Sequence, residues 1–151
     1  MKVIINGCFD CFHDAHKELF LFARDILKET KNSELYILLN SDESYFNLRG
    51  VYPKDDEIKR YRNIYSYVIE ELKYPIGVRF FDTEEELKEE IVRIKPTFII
   101  KGSDYTDLTK VVGFPDYPIL IKPRGKDKDG NDISSTKIKE EHECLANMKS
   151  Q

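Results

Sequence analysis

The 151-residue sequence has no tryptophan, two methionines, three histidines and three cysteines. Cys8, Cys11 and Cys144 leave one thiol over in any intramolecular pairing, which excludes a fully disulfide-stapled framework and points to a reducing compartment. Long apolar runs are also missing. Nothing approaches the roughly 20 residues that span a bilayer, and Met1-Lys2-Val3 leads into a strand rather than a signal peptide, so the expectation is a cytoplasmic protein with no membrane partner. Positive charge is not in excess: 24 Lys and Arg against 28 Asp and Glu give a net charge of −4. A surface of that balance does not suit nonspecific binding to a phosphate backbone, and no nucleic-acid partner is expected. There is no internal repeat and no low-complexity block, and the length fits one domain able to bury a core without staples.

What is present is an alternation of strands and helices. Lys2 to Asn6 is a short β-branched run and reads as a buried strand; Leu19, Ala23, Ile26 and Leu27 then recur at helical spacing, predicting a helix from His13 to near Lys28. Glu34 to Asn40 is too continuously apolar for a half-exposed strand and implies a parallel sheet covered on both faces. Ser41 to Pro53 reads as a loop at that strand's carboxyl end. Ile58, Tyr61, Tyr65, Val68 and Leu72 give the next helix its apolar stripe, with Arg60 and Arg62 on the other face and Tyr61, Tyr65 and Tyr67 open to core or interface roles. Gly77 to Phe81 is a third strand, and Thr83 with Glu86 a capping box that opens a helix facing inward through Leu87, Ile91 and Ile94. Thr97 to Lys101 and Tyr117 to Lys122 are the fourth and fifth strands, followed by a polar excursion from Gly125 to Asp132. The expected fold class is α/β, a Rossmann-like doubly wound parallel sheet of about five strands.

The chemistry concentrates where the first strand ends. Gly7-Cys8-Phe9-Asp10 reads as a turn, and His13 and His16 follow in the first turn of a helix, on one face. Orphan backbone N–H groups and the positive end of the dipole favour an anion there. The same residues admit two other readings. Cys8, Cys11, His13 and His16 are zinc-ligand types, but four ligands within nine residues are packed far tighter than a finger spacing, and Cys8-x-x-Cys11 as a redox pair has no further support. Asp42 and Asp104 follow strands at the edge where open α/β sheets bind ligands, although either aspartate alone is as readily a turn cap.

Gly7-Cys8-Phe9-Asp10 followed by His13-x-Ala15-His16 resembles the signature of the cytidylyltransferase-like nucleotidyltransferases, with Ala15 standing where the family carries glycine. Asn6 to Asp10 and Lys101-Gly102-Ser103-Asp104-Tyr105 are most similar to the heptose-phosphate adenylyltransferases. Ile133-Ser134-Ser135-Thr136-Lys137-Ile138 is similar to the tail motif of glycerol-3-phosphate cytidylyltransferase.

The resemblance implies one nucleotidyltransferase domain over residues 1–151 that uses Mg²⁺ with CTP or ATP and a small phosphorylated sugar or polyol as partner, and it allows a homodimer. It implies catalytic roles for His13, His16 and Arg60. Nucleotide contacts are implied for Gly7, Cys8, Phe9, Asp10, Ala15, Arg49, Lys101, Asp104, Arg124, Ser134, Ser135 and Thr136, and an acceptor contact for Asp42. Ala15 and the long spacing from Arg124 to Ser134 leave a second possibility, a nucleotide-binding regulatory or partner module without catalysis.

Overall fold

The computed structural model describes residues 1–105 and 107–123. Five parallel strands form one sheet in the order β3-β2-β1-β4-β5, with β1 at Lys2–Gly7, β2 at Glu34–Asn40, β3 at Ile76–Phe81, β4 at Phe98–Lys101 and β5 at Ile119–Ile121. The central strand β1 pairs Ile4 with Tyr36 of β2 on one side and with Ile99 of β4 on the other. The chain builds outward from β1 through β2 and β3, then returns to the opposite side of β1 for β4 and β5. Such a reversal opens a crevice above the carboxyl ends of the strands. This is the Rossmann-like α/β architecture that the alternating pattern predicts.

Helices α1 (Asp14–Leu27), α2 (Asp42–Arg49), α3 (Glu57–Tyr65) and α4 (Glu84–Ile94) connect the strands, and α3 runs on into a π-helical stretch, Ser66–Glu71. Side chains alternate across a pleated strand, so β1 feeds two cores. Val3 and Ile5 point toward Phe20, Ala23 and Leu27 of α1 and Ile64 and Val68 of the α3 segment. Ile4 points the other way, toward Leu87, Ile91 and Ile94 of α4. Burying each such side chain stabilises the fold by about 1.5–3 kcal/mol, which explains why both faces of the central strands are apolar.

Two segments depart from the expected pattern. Ser41 to Pro53 is not a continuous loop, because Asp42–Arg49 is helical: Ser41 Oγ accepts from Ser44 N at 3.1 Å as N-cap, and Gly50 ends the helix at φ 75°. Glycine meets that left-handed conformation without the steric cost of a Cβ. The stripe of α3 is also rotated from the expected one. Arg60 is fully buried together with Ile64 and Val68, whereas Ile58 is 52% exposed and Tyr65 38%. The reason is polar: Arg60 finds a partner for each of its donor groups in the interior, as described below. Of the three tyrosines left open, Tyr67 is buried and Tyr61 packs against the α1-side core.

Candidate active site

A cleft of about 830 Å³ lies over the carboxyl edge of the sheet. Its walls come from the end of every strand: Gly7 of β1, Asn40 of β2, Phe81 of β3, Lys101 of β4 and Lys122 just past β5. Three helices also begin at or beside it, and their first-turn N–H groups supply positive partial charge.

The β1–α1 turn forms the cleft's centre. Phe9 and Cys11 both hold left-handed backbone, at φ 54° and 50°, a conformation that costs roughly 1–3 kcal/mol per non-glycine residue and persists only where surroundings impose it. Here they do. The Phe9 ring is buried against Phe20 at 5.0 Å, and a Cβ on Gly7 would sit 3.1 Å from it, a tight contact, so glycine gives the ring room to fold back. Asp10, 2% exposed, fixes the other half: Oδ1 accepts from Cys11 N at 3.0 Å and from Asp55 N at 2.9 Å, and Oδ2 accepts from Lys54 N at 2.9 Å. The carboxylate is thereby a clasp between this turn and the loop leading to α3.

The clasp positions the two histidines. His13 is the N-cap residue of α1, and its ring stacks on that of His16 with centroids 3.8 Å apart and planes 16° from parallel. His16 Nδ1 accepts from His13 N at 3.4 Å, so in the neutral ring Nε2 carries the proton and is the donor. Phe9 meets His16 edge-on at 5.2 Å and Phe12 lies 5.7 Å away, which restricts its rotation. Both imidazoles line the cleft, as do Gly7, Cys8, Phe9, Asp10 and Ala15.

Arg60 and Asp42 are placed differently from expectation. Neither lines the cleft. Arg60 Nε donates to Asp55 O at 3.0 Å, Nη1 to Cys8 O at 2.9 Å and to Asn40 O at 2.8 Å, and Nη2 to Asp42 Oδ1 at 2.9 Å. The guanidinium lies beneath the site and ties the ends of β1 and β2 to the starts of α2 and α3. An arginine so occupied reaches a triphosphate only by breaking this network, and Asp42 is engaged with it rather than lining the cleft.

Lys101, Asp104 and Arg49 do lie on the cleft. Lys101 is 4% exposed, donates from Nζ to Asn6 O at 3.1 Å and sits 4.7 Å over the Tyr105 ring. Burial pushes its pKa down to about 8, with nearby Cys8 partly opposing the shift. Arg49 is steered by the Tyr45 ring, 5.2 Å from its guanidinium carbon. Lys122 and Glu18 pair at 3.8 Å and link β5 to α1 at the cleft rim. Asn40 at the end of β2, Ser44 and Asn47 along α2, Asp82 and Thr83 ahead of α4, and Val111 and Val112 also line the walls and were missed from sequence. The strand-end rule that singled out Asp104 applies equally to Asn40 and Asp82. Arg124, Ser134, Ser135 and Thr136 lie outside the described residues, and with them the expected meeting of imidazoles and hydroxyls.

The model of the cytidylyltransferase-like family matches residues 4–141. The chain belongs to that family, a family of nucleotidyltransferases. Within it, the chain is 30% identical over 111 residues to the bifunctional protein HldE of Methylococcus capsulatus, covering 74% of this chain and 21% of the relative. It is 31% identical over 142 residues to the bifunctional phosphopantetheine adenylyltransferase/NTP phosphatase of Thermoplasma volcanium, covering 91% of this chain and 42% of that one. The chain thus spans between about a fifth and two fifths of the length of these curated relatives. A solved structure from Archaeoglobus fulgidus, a protein of unknown function, superposes with a TM-score of 0.62 at 14% identity, over 89% of this chain and all of that one. At that identity the likeness concerns the fold alone. Among the described residues no helix is long and apolar enough to cross a membrane.

Proposed function

We propose that the chain transfers CMP or AMP from CTP or ATP to a phosphorylated sugar or polyol and releases pyrophosphate. Family membership supports the reaction class, and the observation that carries the reading is the stacked His13–His16 pair opening into the cleft at the start of α1. An acceptor phosphate oxygen attacks the α-phosphorus; a new P–O bond forms, the bond to the bridging oxygen breaks, and pyrophosphate leaves with that electron pair. The nucleophile is already anionic near neutral pH, so no protein base is required. Catalysis then rests on alignment and on donors aimed at the phosphoryl oxygens.

His16 Nε2 and the first N–H groups of α1 supply those donors, while Lys101 and Arg49 bring full charges to the same cleft. Among the described residues no group of three or more His, Cys, Asp or Glu gathers around a common point as a metal cage, and both Asp10 oxygens are occupied by backbone N–H groups. This donor set suits Mg²⁺ held mainly by the triphosphate's own oxygens, where it would neutralise charge on the leaving pyrophosphate. Ala15, among the cleft's lining residues where the family carries glycine, favours as second reading a module that binds nucleotide without turning it over. A pyrophosphate-release screen of CTP and ATP against glycerol 3-phosphate and heptose 1-phosphate separates the two. Turnover with one pair is the expected result, and saturable nucleotide binding with no pyrophosphate from any pair would favour the module.

A further inference from the structure

Two buried charges border the cleft, and their surroundings differ. Asp10 has a backbone donor on each oxygen, whereas the Lys101 ammonium, with three N–H groups to place, has one carbonyl and one ring face. None of the ion pairs among the described residues includes it. On the same wall, Asn6 Oδ1 is buried with no donor among the described residues. A cation removed from water without a counter-ion is unfavourable unless an anion comes to it. The lowered lysine pKa is the expected signature of that deficit.

We propose that Lys101 is the counter-charge held in reserve for the triphosphate: the anion settles beside Nζ, takes up its open donor positions and keeps it protonated, so that nucleotide binding draws in a proton. The proposal rests on the reading of the cleft as a nucleoside triphosphate site, and adds to it a proton linkage with an assigned residue. The other titratable and charged groups on the cleft are Cys8, Asp10, His13 and His16 around the β1–α1 turn, Arg49 at the end of α2, Asp82 and Glu84 where α4 begins, Asp104 and Tyr105 beyond β4, Lys110 in the following loop, and the Glu18–Lys122 pair. Cys8 is the serious competitor, because an arriving anion would also favour a protonated thiol.

Calorimetry of ATP and of CTP binding at pH 8.5, in two buffers of different ionisation heat, reads the proton directly, since the nucleotide phosphates are already fully ionised there. For a lysine with free pKa near 8 the wild-type chain is expected to take up about 0.8 proton per nucleotide bound. K101R stays charged throughout and should bind nucleotide with no uptake, and C8S, which removes the group that partly opposes the lysine's shift, should take up at least as much as wild type. K101M gives a second arm if K101R does not fold: nucleotide affinity falls tenfold or more and uptake disappears. Uptake that is absent in the wild type, persists in K101R or K101M, or vanishes in C8S would overturn the proposal and leave the nucleotidyl-transfer reading standing. Failure of folded wild-type protein to bind either nucleotide would defeat both.

Discussion

Arg60 and Lys101 are both buried cations near the carboxyl edge of one sheet, yet they do opposite things. Arg60 sits below the cleft with every donor group engaged by three carbonyls and the Asp42 carboxylate. Lys101 sits on the wall with a single carbonyl partner and no carboxylate. The first is a fastener, joining segments from residue 8 to residue 60; the second is an unsatisfied charge facing the cavity. Burial alone does not mark a functional charge. The distinction lies in whether the protein has already supplied the partner.

The comparison breaks most visibly if Arg60 proves dispensable. R60M leaves three carbonyls and Asp42 without their donor, and removing one partner of a buried ion pair costs about 3–5 kcal/mol. Urea unfolding should show a loss of that size, and stability within error of wild type would show that the network carries no load. On the cleft side, H16A should lower turnover about 10²–10³-fold, the range seen when one oxyanion donor is removed, with an unchanged circular dichroism spectrum. Near-normal turnover would remove the imidazole from the mechanism.

The smallest effect concerns Lys101 and has a defined sign. Its folded pKa of about 8 lies below the ordinary lysine value of 10.5, so between these values the unfolded chain binds more protons. Stability from this group therefore rises with pH, by about 2–3 kcal/mol once pH has passed from below 8 toward 10. K101M lacks that rise. Unfolding at pH 7 should find K101M more stable than wild type, with the gap narrowing by pH 9.5, below the range where Tyr67 and Tyr74, whose pKa values burial raises, pull the other way. A gap independent of pH would mean that the lysine is not desolvated as described.

Much of the fold was legible because it rests on local rules. The apolar runs of β1 and β2 and the Thr83 cap of α4 are read from neighbours in sequence, and Glu34–Asn40 and Glu84–Ile94 match the expectation. Helix α2 was missed because Asp42–Arg49 has almost no apolar stripe, although its signals, Ser41 at one end and Gly50 at the other, were present. The phase of α3 was missed for a deeper reason. An arginine is placed outward by any hydrophobic rule, and only the four carbonyl and carboxylate groups brought together by the tertiary fold make an inward position favourable. The site followed the same division. Gly7 to Asp10, His13, Ala15 and His16 share the cleft and stand close in sequence, whereas Asn40, Ser44, Asp82 and Val112 become cleft residues only through sheet topology.

A crystal structure of the chain with a non-hydrolysable CTP or ATP analogue tests the account at its centre. The triphosphate is predicted to lie in the cleft over β1 and β4, with His16 Nε2 and Lys101 Nζ within hydrogen-bond distance of its oxygens and Arg60 still bonded to Cys8, Asn40, Asp42 and Asp55. A nucleotide bound elsewhere, or Arg60 swung out of its network onto the phosphates, would contradict it.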